Sequence, residues 1–260
     1  MRKPLHIASP FSLFAAAALL VAWSPLLAGR AGADEALLVP DEAAVAGPTA
    51  GGWELLKVEH GITVERRRVA GTALRELRGR GLVDAPLAAV LAVLEDEAQR
   101  AQQKAGCAGI ESCSGRPGAR SAILYDRTRA PWPVADRDVV LRADTLLDVA
   151  ERTVRIDFVT TESACLPPIP GVVRMPFMRG HYLLRPAGGG LFTDVEYQVH
   201  ADPGGTLPRW TANLASKQLP YTTIADLRKK SLLPVHARTA ASITARPEYQ
   251  SLMSHVATSK

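Results

Sequence analysis

Apolar and polar positions alternate with a period of two through most of the chain between Trp53 and His200. Such alternation belongs to strands with one buried and one solvated face. Trp53–Val58 and Ile62–Val69 read as a hairpin across Glu59-His60-Gly61, with His60 a turn residue. A third strand follows at Ala73–Val83, where Leu74, Leu77 and Leu82 stand among arginines expected to form a solvated face. Ser121–Arg129 sets Ile123, Tyr125 and Arg127 against Ala122, Leu124 and Asp126. Asp138–Thr145 and Thr153–Thr161 continue the meander, with Val154, Ile156 and Phe158 on one side. His181–Leu184 and Leu191–His200 form a last hairpin across Ala187-Gly188-Gly189-Gly190. In its second strand Leu191, Thr193, Val195, Tyr197 and Val199 oppose Asp194, Glu196, Gln198 and His200.

Two stretches switch to a helical period. Asp84 caps the first, with Pro86 in its first turn and Leu87, Val90, Leu91 and Leu94 along one stripe. Thr206 caps the second, with Pro208 in its first turn. Leu207, Trp210, Leu214, Tyr221, Ile224 and Leu227 share a face there, Lys217, Arg228, Lys229 and Lys230 lie mostly outside, and Pro220 predicts a kink. Beyond Pro234 the signal fades, leaving a weak helical tendency over Ala237–Thr244 and a basic end. The layout is α+β, an antiparallel sheet followed by a long helix, and the apolar face of that sheet must be covered.

Two breaks carry more information than the elements they separate. Pro131 and Pro133 fix their own φ and push the preceding residues out of the α region, so Ala130–Val134 is an extended elbow feeding the strand at Val139-Val140-Leu141. Glu162–Gly171 holds Pro167, Pro168 and Pro170 and has little prospect of regular hydrogen bonding. Leu166, Ile169, Val172 and Val173 nevertheless make it apolar, which points either to contact with something else or to packing of the prolines on the sheet edge.

Arg2 and Lys3, the apolar run Phe11–Leu27 and the small residues Ala31-Gly32-Ala33 have the layout of a secretory signal. Pro25 and the small-residue exit favour cleavage after Ala33 over retention as a membrane anchor, and residues 34–52 read as a linker. The expected address is therefore the periplasm or the exterior. The formal charge of +5 loses Arg2, Lys3 and Arg30 with the leader, leaving 28 basic against 26 acidic residues. Nucleic-acid binding then has no compositional support. In an exported protein Cys107 and Cys113 are close enough in sequence to close a small disulfide ring, for about 2 kcal/mol in the chain-entropy picture. Cys165 is left over, buried or free, and no cysteine pair has a zinc-type spacing with a histidine beside it. No metal and no cofactor are expected.

Pro131-Trp132-Pro133-Val134 followed by Asp136-Arg137-Asp138-Val139-Val140 resembles the central signature of the START family, the StAR-related lipid-transfer domains. Gly171-Val172-Val173-Arg174, then Gly180-His181-Tyr182-Leu183-Leu184-Arg185-Pro186, then Asp202-Pro203-Gly204-Gly205 with Leu207-Pro208 and Trp210 follow in the family's order, so the resemblance covers residues 53–233. It implies a helix-grip fold, a curved antiparallel sheet wrapped around a long C-terminal helix with an internal apolar cavity, leaving 234–260 as a tail. It also implies a monomer that carries a lipid or sterol-like molecule, with transient membrane contact, and a mobile loop at the cavity mouth with Leu166, Ile169 and Val172 as a lid. One local departure is expected, because Gln99–Gly106 lacks the aromatic residue that family members place after the first helix.

A cavity of this kind, on the order of a few hundred Å³, suits a lipid-sized guest. Removing apolar surface from water at about 25 cal/mol per Å² would supply most of the affinity. Face parity and the helix stripe nominate Tyr125, Leu141, Phe158, Tyr197, Trp210, Leu214, Tyr221 and Ile224 as lining. Arg174 matches the arginine of the family's Val-x-Arg segment and joins the candidate set, while Arg137 and Asp138 are assigned to structure. An enzyme of cyclase or hydrolase type acting in the same cavity is the alternative, with His181 and His200 the residues to test. His60, His181, His200, His236 and His255 nevertheless stand apart from any hydrolase or metal-ligand motif.

Overall fold

The computed structural model describes residues 52–104, 120–130, 134–164, 166–205 and 218–257. The leader, nearly all of the linker, the Pro131-Trp132-Pro133 elbow, Cys107, Cys113, Cys165, Trp210 and Leu214 fall outside the described residues.

His60 and Gly61 both take positive φ, 47° and 69°, in the two-residue turn between β1 (Glu54–Glu59) and β2 (Ile62–Arg68). Left-handed residues at both turn positions give the twist that antiparallel strands need. β2 pairs with β3 (Arg75–Val83), and β3 pairs on its other side with β9 (Phe192–Asp202). Between β3 and the rest of the sheet runs α1 (Leu87–Lys104), which takes the chain to the opposite edge, where β4 (Ser121–Thr128) begins. β5 (Asp136–Asp148), β6 (Thr153–Thr160) and β8 (Phe177–Ala187) complete the antiparallel path β1-β2-β3-β9-β8-β6-β5-β4. β7 (Val172–Arg174) pairs parallel with the first three residues of β5 and makes the ninth strand.

Helix α2 (Leu219–Lys230) crosses β2, β3 and β9. Pro220 sits in its first turn, and the upstream half of the helix expected from sequence lies outside the described residues. Glycines make the seat. A Cβ at Gly79 would come within 2.8 Å of Pro220 Cβ and 3.1 Å of Ile224 Cδ1, so only glycine allows helix and strand to approach this closely. At the other end Arg228 donates to the carbonyls of His60 (2.6 Å) and Leu82 (2.7 Å), which ties the helix to the β1–β2 turn. Curved sheet and helix together form the helix-grip arrangement.

The helix expected over Ala237–Thr244 forms, but the chain after Pro234 packs into the domain and is no tail. It forms α3 (Ala237–Thr244) and α4 (Pro247–Ala257), and Ile243, Tyr249 and Leu252 join the core. Asp96 accepts from Thr239 (2.7 Å) and meets His236 Nδ1 at 2.6 Å, while Arg246 makes a two-armed contact with Glu95. Three buried apolar residues in so long a stretch make too sparse a stripe to read by period. Its attachment is mostly polar, and the partners sit on α1, more than a hundred residues away in sequence.

Candidate functional site

The face of the sheet that receives α1 and α2 is called inner here. Its residues follow from register. Ala143 faces Phe158, Phe158 faces Gly180, Gly180 faces Val199 and Val199 faces Leu77, a row crossing five strands. Leu141 lies on this face between Leu124 and Thr160, and Ile224 reaches it from α2; both are fully buried. Phe158 can lie flat on the sheet because its row neighbour is Gly180, where a Cβ would meet the ring at 2.6 Å and the Gln198 carbonyl at 2.1 Å.

An aromatic cluster occupies the middle of this face. Tyr182 and Tyr197 are register partners with ring centroids 4.7 Å apart. Phe158 lies 6.1 Å from the first and stacks 6.0 Å from the second. Such offset pairs add to simple burial. Both tyrosines are buried, at 2% and 0% exposure, and neither hydroxyl has a hydrogen-bond partner among the described residues. Burial pushes both phenols well above their ordinary pKa, with the charge of Asp126 adding to the rise, so both stay protonated. Tyr182 escaped the sequence reading although its place was legible. The hairpin that pairs Ala187 with Phe192 must also pair Tyr182 with Tyr197.

One residue nominated by parity, Tyr125, lies on the other face, which corrects that reading. Tyr125 pairs with Val140, whereas Leu124 pairs with Leu141, so Leu124 carries the inner face of β4 and Tyr125 the outer. Both faces of β4 hold apolar residues at that point, and alternation alone does not say which one meets the core. Tyr125 instead packs with Val140 and Leu166 in a small second core, and its hydroxyl donates to Asp138 at 3.3 Å. Burial and that carboxylate raise its pKa to about 12.

Arg174 completes this cluster. It grips Asp138 with two nitrogens, at 2.7 and 3.0 Å, and donates to the carbonyls of Leu166 and Pro167. The Asp138 side chain is 0% exposed. A buried bidentate pair therefore pins the proline loop to the sheet, and Arg174 acts in structure, as Arg137 and Asp138 were expected to. The three lid candidates separate. Leu166 is buried against Tyr125 and Val140, Val172 belongs to β7, and Ile169 points out at 39% exposure. Tyr221 also leaves the aromatic cluster, its hydroxyl lying 2.9 Å from His60 Nδ1 at the β1–β2 turn.

The rest of the outer face is a lattice of ions. Arg78 meets Glu65 at 2.7 Å, Arg80 meets Glu196 at 2.7 Å, and Arg67 contacts Glu76, which also accepts from Gln198 at 2.8 Å. The arginines expected on a solvated face are thus partly enclosed. Arg78 is buried, and Trp53 lies under both Arg67 and Arg78, 4.6 and 4.1 Å from ring centroid to guanidinium. An open groove of about 310 Å³ runs among Glu76, Arg142, Asp157, Arg179 and His181, with Phe158, Val159 and Gly180 beside these charged and polar groups in a mixed lining. His181 Nε2 stands 3.3 Å from Glu196 Oε1, and this contact, followed by Arg80, lowers Glu196 to about 2. His200 is buried edge-on to Phe177 at 5.1 Å, and burial lowers its pKa. Both histidines nominated for catalysis therefore lie on the face opposite the aromatic cluster.

The START domain model matches residues 41–229. The chain belongs to the START domain family. An uncharacterized protein of Pseudomonas aeruginosa is 33% identical over 180 residues, 68% of this chain and 85% of that protein. The phosphatidylcholine transfer protein of Bos taurus is 29% identical over 184 residues, 68% of this chain and 83% of that protein. Among solved structures, a STAR-related lipid transfer protein fragment from Xanthomonas axonopodis superposes with a TM-score of 0.59 at 30% identity, over 70% of this chain and 99% of the fragment. Human STARD10 superposes with a TM-score of 0.60 at 23% identity, over 76% of this chain and 80% of that one, a likeness of fold. The matched span of this START domain takes in the whole sheet and nearly all of α2, while α3 and α4 lie beyond it.

Proposed function

We propose that this START domain encloses a hydrophobic molecule, lipid or sterol-like, against the inner face of its sheet and carries it through the periplasm. The observation that carries the reading is the inner face itself. A buried apolar surface crosses the sheet under α2, and the likeness to lipid transfer proteins covers that same span. The aromatic cluster of Phe158, Tyr182 and Tyr197 gives the guest a firm floor, and α2, seated on Gly79, closes one side. Carriage needs no chemistry from His181 or His200, which belong to the opposite face. Loading and unloading occur in transient contact with membranes, as a monomer.

Mass spectrometry of an organic extract of the purified protein tests this directly. A lipid present in stoichiometric amount, and absent from a Phe158→Asp variant purified in parallel, is the expected result. A folded protein that returns no lipid and takes up none from vesicles overturns it. Cell fractionation with N-terminal sequencing tests the route, and the mature chain is expected in the periplasm beginning at Asp34.

A further inference from the structure

Tyr182 and Tyr197 present two hydroxyls side by side on adjacent strands, both buried and both without a hydrogen-bond partner among the described residues. Groups of this kind are rare in folded proteins, because each gives up its hydrogen bonds to water on burial. Phenylalanine fills nearly the same volume with no such loss, and Phe158 shows that the same cluster accepts a ring without an oxygen. Packing therefore explains the rings and leaves the oxygens over. A hydroxyl both donates and accepts, so the missing partner is a polar atom brought in from outside.

Burial narrows the choice. At two enclosed hydroxyls an incoming carboxylate or phosphate would have to give up the hydration of its charge, whereas an uncharged oxygen loses far less.

Resting on the carriage reading above, we infer that the Tyr182 and Tyr197 hydroxyls anchor the buried end of the ligand, and that this end is a hydroxyl or carbonyl oxygen on an otherwise apolar molecule. The apolar body is held by enclosure, and the two tyrosines set its direction. Selection against fatty-acid carboxylates follows from the same placement.

Displacement of the neutral dye N-phenyl-1-naphthylamine from the full chain by 1-decanol and by decanoate tests the anchor. In the wild type, decanol is expected to displace the dye at about tenfold lower concentration than decanoate, the scale of one or two well-placed hydrogen bonds. The double variant Tyr182→Phe with Tyr197→Phe is expected to lose about tenfold in decanol affinity while dye affinity stays within about twofold. Its unfolding midpoint should match or exceed that of the wild type, since two unsatisfied polar groups are gone, which separates a lost anchor from a lost fold. Unchanged decanol affinity in the double variant, with dye binding intact, overturns the anchor and leaves carriage standing. A wild type that binds neither dye nor decanol strikes the carriage reading itself, and the anchor with it.

Discussion

On the inner face of β8 and β9, Tyr182, Leu184, Val195 and Tyr197 are buried among one another and among apolar neighbours. On the outer face of the same strands, His181, Glu196 and Gln198 join a chain of ion pairs and hydrogen bonds running to Arg80 and Glu76. One backbone thus supports two kinds of cohesion. Apolar contact is non-directional and tolerates an exchange of partner, so a guest can replace water or a side chain at little cost in fit. Ion pairs need particular geometry and would be left unmatched by an apolar guest. The face that holds together through area alone is the one suited to receive a ligand, and the ionic face holds the sheet in shape while that happens.

Truncating Phe158 to alanine breaks the comparison most severely. It leaves a hole over Gly180 in the middle of the inner face, with an expected loss of about 3–5 kcal/mol. Denaturant unfolding should show a lower midpoint with an unchanged slope.

Arg174→Ala sharpens the comparison from the outer side, because some ion pairs there are enclosed and others are exposed. The variant leaves the Asp138 carboxylate fully enclosed without its cation, for an expected loss of about 3 kcal/mol, and frees the proline loop from its carbonyl contacts. Limited proteolysis within residues 162–171 should speed up in parallel. Arg142→Ala removes a pair whose side chains are 55% and 48% exposed, and the expected change is about 0–1 kcal/mol by the same unfolding measurement. Equal effects for the two variants would mean that burial does not distinguish these pairs.

Acid gives the most local effect. Glu196 ionises at about 2 in the folded protein against an ordinary value of 4.5, so the folded state favours its charged form. Its stabilising contribution is complete above about 4.5 and fades as the pH falls from there towards 2, when the unfolded chain binds the proton first. Glu196→Gln should flatten the stability profile in that window and leave ligand uptake by the inner face unchanged.

Much of the fold was legible because strand alternation is a local property. The turn at His60-Gly61, the three-strand meander through Phe158 and the last hairpin all fall within four residues of where the pattern predicts them. The family signature supplied the rest of the architecture, since its pieces are spread across the sheet. What failed was the choice between faces. Tyr125 and Leu124 are adjacent, both suit a core, and only pairing with Val140 and Leu141 decides which one is inner. Arg174 looked like a ligand contact from its motif, and only its distance to a fully enclosed Asp138 shows that its hydrogen-bonding capacity is already used.

The sequence by itself determined where strands and helices form, that one face of the sheet is apolar, and which family the chain resembles, because period, turn chemistry and short motifs are written in neighbouring residues. Tertiary structure alone decided that the last helices dock on α1 through Asp96 and Glu95, that Arg78 is buried in an ion lattice, and that Tyr182 and Tyr197 bring together two hydroxyls without a partner among the described residues. Each of those facts depends on residues distant in the chain meeting at a few ångströms. Burial and satisfaction are properties of such a meeting, and no single stretch of sequence holds them.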